Sequence, residues 1–293
     1  MLRKWFNLIS QRISWYWELT KGYQTGLLLV TGITGYISAR CPFHSWSLAA
    51  GLIGSLFLVI SGSTILNMVY DKDIDMKMQR ACCRPLPSGK ISSMEALILG
   101  VTFSLAGLFW AFNLSIIYGF VVFSGLFIDV VIYTIWLKRR TPWAIVFGGI
   151  SGGMPILAGR VLGIGDLDFI GLLFSLSILL WIPTHILTFS IKYSADYSNA
   201  DIPTFFSKYG ATKTRLIIAV SSLLAALSIA VGALALGIAW GYLRLLAVLS
   251  IGILSLIIAS FSSSSEKVNF ALFKYASLYM LGAMLMVSLG VLF

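Results

Sequence analysis

Residues 46–75 read WSLAAGLIGSLFLVISGSTILNMVYDKDID, a long apolar run that ends in three aspartates. No charged side chain occurs between residues 46 and 70. About 20 consecutive apolar residues, folded as an α-helix, cross the hydrocarbon core of a bilayer. The stretch therefore predicts a membrane-spanning helix with a dense group of acids at its end.

The composition of the whole chain indicates the same class of protein. Of its 293 residues, 58% are hydrophobic and only 11% are charged, and the mean hydropathy is +0.92. Soluble domains carry about 25% charged residues, so a soluble protein is excluded, and the apolar content also excludes a disordered one. Apolar runs of this length favour helices over a β-barrel, whose strands alternate over segments of about 10 residues.

The chain is predicted to be an all-α, polytopic membrane bundle of nine transmembrane helices. The predicted spans are 23–40, 46–70, 93–112, 114–137, 143–163, 167–190, 214–237, 240–259 and 269–292. Residues 1–22 are rich in Trp, Tyr and basic residues, which is typical of an interfacial helix. We therefore predict an interfacial N-terminal segment, 1–22, and a nine-helix transmembrane domain, 23–293.

The basic residues predict the orientation of the bundle. Of the 21 Lys and Arg residues, 17 fall on one side of the predicted spans: Arg3, Lys4, Arg12, Lys21, Lys72, Lys77, Arg80, Arg84, Lys90, Lys138, Arg139, Arg140, Lys192, Lys208, Lys213, Arg215 and Lys267. By the positive-inside rule, the N-terminus is cytoplasmic and the C-terminus lies outside. A multi-pass protein of the cell membrane is expected. The net charge of +10 then reflects topology and an anionic ligand rather than nucleic acid, which is not expected as a partner.

The first acidic cluster combines an amide and three carboxylates at the end of the second span. In a helix, each step of four residues drifts by only about 40°, so Asn67, Asp71 and Asp75 share one face and Asp73 points away. Three oxygen ligands on one face suit Mg²⁺, which prefers a few carboxylates together with phosphate oxygens and water. The alternative is a solvated helix end with favourable Asp–Lys pairs.

The second acidic cluster follows the sixth span and contains Asp196 and Asp201. Five residues correspond to about 140° around a helix, so the two acids share a site only if the helix ends or bends between them. Pro203 makes such a break plausible. Two acidic clusters on one membrane face, among many cations, suggest a diphosphate bridged to carboxylates by Mg²⁺.

These strings resemble the UbiA-type intramembrane prenyltransferases, and in particular a branch that farnesylates haem. The Asn67–Asp71–Asp75 run looks like the first motif of the family. The other matching strings are Leu19–Lys21, Met78 with Arg80, Arg84–Gly89, Leu137–Pro142, Ile145–Gly149, Trp181–His185, Asp196–Tyr197 and Ile202–Pro203. This chain departs from that branch at Ala81, Ala144, Thr184 and Asp201, and at Thr204, Phe205 and Phe206 after Pro203. The resemblance covers residues 19 to about 215.

The resemblance implies a central cavity open toward the cytoplasm and a prenyl transfer reaction. Farnesyl diphosphate (or a longer prenyl diphosphate) and haem b would be the substrates, and haem O the product. The implied catalytic residues are Asn67, Asp71, Asp75 and Asp196, and the Mg²⁺ ligands are these four with Asp201. The implied substrate-binding residues are Lys21, Arg80, Arg84, Lys138, Arg139, Arg140, His185, Lys192 and Tyr197.

Several alternatives stay open at this stage. The Lys138–Arg140 triplet is also explained by topology alone. His185 is also explained as a hydrogen-bonded interior histidine. The acceptor could be a quinone precursor instead of haem, and the acids could belong to a cation-coupled transporter, although they gather at one membrane face rather than at the midplane. Asp129, which stands alone inside a span, should face the cavity or be protonated.

Overall fold

The computed structural model describes residues 2–39, 46–262 and 265–293. Arg40 therefore lies outside the described residues. Throughout the described ranges the regular structure is helical: α1 (Leu2–Leu19), α2 (Gly22–Ser38), α3 (Trp46–Tyr70), α4 (Lys72–Lys77), α5 (Ser93–Leu114), α6 (Ile116–Phe127), a π-helical segment (Ile128–Leu137), α7 (Ala144–Ile164), α8 (Phe169–Lys192), α9 (Ser194–Asn199), α10 (Phe205–Ala235), α11 (Trp240–Ser262) and α12 (Glu266–Leu292).

The prediction of an all-α membrane bundle is confirmed. Within the described residues, eight helices are long and apolar enough to cross a membrane, counting α6 and the π-helical segment as one. The helix α2, with 17 residues, lies at the lower limit of about 17–25 residues for a spanning helix. The predicted count of nine is therefore close to the observed count.

One helix begins well before the predicted span. We predicted that the seventh span begins at residue 214, but α10 begins at Phe205. The polar side chains of its first turns lower the local hydropathy, so hydropathy alone does not identify them as part of the helix. The Thr204 hydroxyl accepts from the Ser207 backbone N–H (3.1 Å), and the Ser207 hydroxyl accepts from the Thr204 N–H (3.0 Å). This capping box fixes the start of the helix, and Gly210 then interrupts it with a φ of 77°.

The helix α7 lies at the centre of the bundle and packs against α2, α6 and α8. A Cβ atom at Gly159 would collide with the Gly32 carbonyl of α2, so glycine permits this close approach of the two backbones. Buried side chains form one large cluster mainly on α8, α10, α11 and α12, and another on α2, α3, α6 and α7. The two clusters flank the cavity described below.

A buried arginine ties three helices together at the end of α7. Arg160 donates to the Ser38 carbonyl at the end of α2 (2.6 Å) and to both carboxylate oxygens of Asp168 (2.7 and 2.6 Å). Asp168 also accepts from the Gly171 N–H (2.9 Å) and thereby caps α8. Hydrogen bonding from Arg160 holds the pKa of Asp168 below its usual value.

Candidate active site

A cavity of about 510 Å³ lies inside the bundle, and its lining changes character along its length. Apolar side chains from the middle of the helices line its interior, including Leu56, Val59, Val122 and Met154. Charged side chains from helix ends and loops line its mouth: Lys21, Asp71, Asp75, Arg80, Arg84 and Lys138. A charged mouth and an apolar interior fit a ligand that has an anionic head and a hydrocarbon body.

The first acidic cluster faces this cavity on one side. The backbone N–H of Asp71 donates to the Asn67 carbonyl (2.9 Å), and that of Asp75 donates to the Asp71 carbonyl (2.8 Å). Helical hydrogen bonding thus continues from α3 into α4. Asn67, Asp71 and Asp75 all line the cavity, whereas the Asp73 side chain is 60% exposed and bonds Arg139 (2.7 and 2.8 Å).

Each buried carboxylate at the mouth is paired with a cation. Lys138 donates to Asp71 Oδ2, and Arg84 donates to Asp75 Oδ2 (2.9 Å). The other oxygen of Asp71, Oδ1, is buried and has no hydrogen-bond partner among the described residues. A buried, unpaired carboxylate oxygen is costly, so its persistence marks a position where a ligand is expected.

Asp196 lies behind the mouth and holds Arg80. Its oxygens accept from the backbone N–H groups of Gln79 (3.2 Å) and Arg80 (3.5 Å), and one oxygen lies 3.6 Å from Arg80 Nε. The guanidinium of Arg80 lies over the rings of Phe189 and Tyr197, at 4.7 and 5.3 Å from their centroids. These contacts orient Arg80, which itself lines the cavity together with Tyr197.

Lys21 adds a fourth cation to the mouth, beside Arg80, Arg84 and Lys138. It precedes α2 in the left-handed conformation (φ 47°) and lines the cavity. Burial, together with the positive charges of Arg84 and Lys138, lowers the pKa of Lys21 to about 8. Mutual repulsion of three neighbouring cations is relieved by an anion bound between them.

Asp129 orients Asn67, a role that sequence reasoning missed. The Asn67 amide N–H donates to Asp129 (2.8 Å), which also accepts from Ser63, and the Thr134 hydroxyl donates to the Asn67 oxygen (2.8 Å). Asp129 and Thr134 both lie within the π-helical segment Ile128–Leu137. The sequence showed only that Asp129 is a solitary acid inside an apolar span. Asp129 lines the cavity, as we expected for such an acid.

His185 lies on the wall of the cavity within a stack of rings. Its centroid is 5.1 Å from that of Trp181 and 4.7 Å from that of Phe273, with interplanar angles of 21° and 26°. Its Nδ1 lies 3.2 Å from the Ser277 hydroxyl. His185 is therefore both a hydrogen-bonded interior histidine and a residue of the cavity wall.

Five residues of the predicted site do not line the cavity: Asp196, which contacts Arg80 behind the mouth, and the four described next. Asp201 has a positive φ (56°), is 86% exposed and faces Lys77 at 3.6 Å, so the break after α9 turns it outward. Arg139 bonds Asp73, Arg140 is exposed, and Lys192 lies over the Phe270 ring at 3.5 Å. None of these four lines the cavity.

Metal binding by the protein alone is not favoured at this mouth. Among the residues that the structure describes, no group of three or more His, Cys, Asp or Glu side chains is arranged to hold a metal ion. Mg²⁺, however, is commonly bound by one or two carboxylates together with substrate phosphates and water. The oxygens of Asn67, Asp71 and Asp75, with the unpaired Asp71 Oδ1, are the donor types that such a shared site requires.

The family model for the UbiA prenyltransferase family matches residues 28–282. A protoheme IX farnesyltransferase from Archaeoglobus fulgidus is 42% identical over 188 residues, which cover 64% of this chain and 66% of that protein. A protein of the same name from Pyrobaculum islandicum is 35% identical over 261 residues, covering 88% of this chain and 92% of that protein.

Solved structures resemble this chain over nearly its full length. A digeranylgeranylglyceryl phosphate synthase superimposes with a TM-score of 0.78 at 20% identity, covering 96% of this chain and 99% of that one. A UbiA homolog from Archaeoglobus fulgidus bound to GPP and Mg²⁺ gives 0.71 at 14% identity, covering 94% and 99%. At these identities the likeness establishes the fold.

Proposed function

Because the chain belongs to the UbiA prenyltransferase family, we propose that it transfers a farnesyl group from farnesyl diphosphate to a vinyl group of haem b. The products are haem O and diphosphate. One observation carries the proposal: buried, cation-paired carboxylates surround the mouth of an apolar cavity, in a chain similar to protoheme IX farnesyltransferases.

Diphosphate can bind at the mouth if the charged side chains there exchange their ion-pair partners. Asn67, Asp71 and Asp75 would hold Mg²⁺, which supplies Lewis acidity to the leaving diphosphate. Lys138 and Arg84, now paired with the carboxylates, then pair with phosphate oxygens instead. Asp71, Asp75, Lys138 and Arg84 would each keep a partner of opposite charge before and after this exchange, which keeps its cost low.

The apolar interior accounts for the farnesyl chain and for the exclusion of water. As the allylic C–O bond breaks, the electron pair leaves with diphosphate, and the rings of Tyr133 and Phe189 in the lining can stabilise the allylic cation. The vinyl group attacks this cation and forms the new C–C bond. Water captures the resulting cation and loses a proton, which leaves a hydroxyl group on the product.

Some of the sequence differences from the haem-prenylating branch lie in the cavity wall. Ala81 is buried away from the cavity, and Thr184 is buried against Ser222 of α10. Ala144, Thr204 and Phe205 line the cavity. Support for haem over a quinone precursor therefore comes from the similarity to protoheme IX farnesyltransferases, not from an unchanged lining.

The pigment of membranes that contain the protein tests this assignment. We expect a haem heavier than haem b in extracts of membranes from expressing cells that otherwise lack haem O. An Asp71→Ala variant at the same membrane abundance is the matched control and should give haem b alone. Unaltered haem b in both membranes would contradict the proposed acceptor.

Lys21 predicts an alkaline limb in the pH profile. Its ammonium group is charged below pH 8 and neutral above, so kcat/KM for farnesyl diphosphate should fall as the pH rises through about 8. Lys21→Met should lower kcat/KM by roughly 10- to 100-fold, since a hydrogen bond to a charged group contributes about 1.5–3 kcal/mol. Lys21→Arg keeps its charge and should abolish the limb; a limb retained near pH 8 in that variant would assign it to another group.

We also propose that the N-terminus is cytoplasmic and the C-terminus lies outside, on the strength of the asymmetry in basic residues. A reporter inserted at the exposed Gly89, in the loop between α4 and α5, should be cytoplasmic. A reporter fused after Phe293 should lie on the other side. Both reporters on one side would refute the nine-span count, which places seven spans between them.

A further inference from the structure

A second cavity, of about 260 Å³, lies between the ends of α8, α10 and α12. Among the described residues, its lining shares no member with that of the candidate active site. Lys192 and Ile191 come from α8, Arg215 from α10, and Lys267 and Phe270 from α12. Lys192, which we predicted to bind substrate, thus belongs to this cavity.

The charge of this cavity favours an anion. Three basic side chains, Lys192, Arg215 and Lys267, line it with a single acid, Glu266. Basic side chains from three separate helices converge on this cavity, and anionic oxygen atoms bound there could accept charge-assisted hydrogen bonds from them. Residues from separate helices that converge in this way form a pocket rather than a charged stripe along one helix.

Packing around the cavity fixes its shape. Lys192 Nζ lies 3.5 Å from the centroid of the Phe270 ring. The side-chain amide of Asn269 donates to the Thr188 carbonyl (2.8 Å) and so ties the start of α12 to α8. The cavity therefore has an ordered wall before any ligand binds.

The cavity lies at the ends of two helices, α8 and α12, that are long and apolar enough to cross a membrane. Lys192 is the last residue of α8, and Lys267 is the second residue of α12. Exposed residues continue from Lys267 along one face of α12 through Lys274, Leu278, Leu281 and Leu285. This stripe, basic at its start and apolar beyond, has the polarity of a phospholipid lying along the helix.

We propose that this cavity binds the phosphate headgroup of an anionic phospholipid, whose acyl chains lie along the leucines of α12. Basic pockets between transmembrane helices are suited to such headgroups, and each nearby basic residue contributes about 1 kcal/mol, or about fivefold in affinity. Ile191 and Phe270 supply apolar contact beneath the headgroup.

Native mass spectrometry of the purified full chain tests the proposal. Dioleoyl phosphatidylglycerol is titrated against dioleoyl phosphatidylcholine, and the dissociation constant of the first bound lipid is measured. We expect preference for phosphatidylglycerol in the unchanged protein, a loss of about fivefold in Lys267→Gln, and about 25-fold in Arg215→Gln/Lys267→Gln. Lys267 is exposed, so the single variant keeps the test valid if the double variant unfolds.

The matched control is Lys208→Gln/Lys213→Gln, which removes two exposed cations from α10 outside the cavity. It should bind phosphatidylglycerol as the unchanged protein does. Equal losses in the control and the cavity variants would overturn the site, because general surface charge would then explain binding. Displacement of the lipid by millimolar phosphate or diphosphate would overturn the lipid assignment and identify a site for soluble anions.

Discussion

Asp71→Ala and Asp75→Ala are each expected to lower kcat for prenyl transfer by at least about 10³-fold, because each removes charge stabilisation at the leaving diphosphate, which is worth several kcal/mol. Asp71 carries the strongest expectation, since its buried Oδ1 has no partner within the described residues. Initial rates at saturating farnesyl diphosphate and Mg²⁺ measure the effect.

Asp73→Ala is the matched control for both variants. Its carboxylate is 60% exposed and pairs with Arg139 on the outside of the mouth. An exposed ion pair contributes about 0–1 kcal/mol, so its loss should change the rate by no more than about fivefold. Thermal unfolding of each variant separates loss of catalysis from loss of fold. Equal loss of activity in all three folded variants would remove the argument that only one face of the helix acts.

Removal of Mg²⁺ is expected to stop turnover. The mouth holds Asp71 and Asp75, and without a divalent cation these acids repel an incoming diphosphate. Dialysis against EDTA should leave about 1% of the rate or less, which corresponds to roughly 3 kcal/mol, and added Mg²⁺ should restore the full rate.

The Asp71→Ala variant serves as the control for metal restoration. Excess Mg²⁺ should leave it inactive, because the oxygen ligand itself is missing. A rate in EDTA equal to that in Mg²⁺ would contradict the proposed role of Asn67, Asp71 and Asp75. Stabilisation of the leaving group would then be assigned to cations of the mouth, which include Lys21, Arg84 and Lys138.

The sequence predicts most of the fold because apolar length alone identifies a spanning helix. The start of α10 was predicted at residue 214 rather than at Phe205, since Ser207, Lys208 and Lys213 lower the local hydropathy while a capping box begins the helix. Hydropathy reports on burial in lipid, and the first turns of α10 are helical for a different reason, namely their local hydrogen bonds.

The candidate site was predictable wherever one helix carries it. Asn67, Asp71 and Asp75 need only the helical repeat, and hydrogen bonds of helical spacing link Asp71 to Asn67 and Asp75 to Asp71. Contacts between helices were not predictable: Asp201 turns outward on a positive φ, and Asp129 reaches Asn67 from the π-helical segment. Lys192 was predicted to bind substrate but lines the second cavity instead. The direction of the end of α8 depends on packing against α12, which the sequence does not show.

The acceptor is the central claim, and the mass of the product made by the purified protein tests it most directly. With Mg²⁺, farnesyl diphosphate and haem b, we expect a haem heavier by one farnesyl group and one hydroxyl group. Parallel reactions replace haem b with 4-hydroxybenzoate, a phenolic quinone precursor. Farnesylated hydroxybenzoate together with unchanged haem b would contradict the haem assignment, whereas farnesylated haem alone is the predicted result.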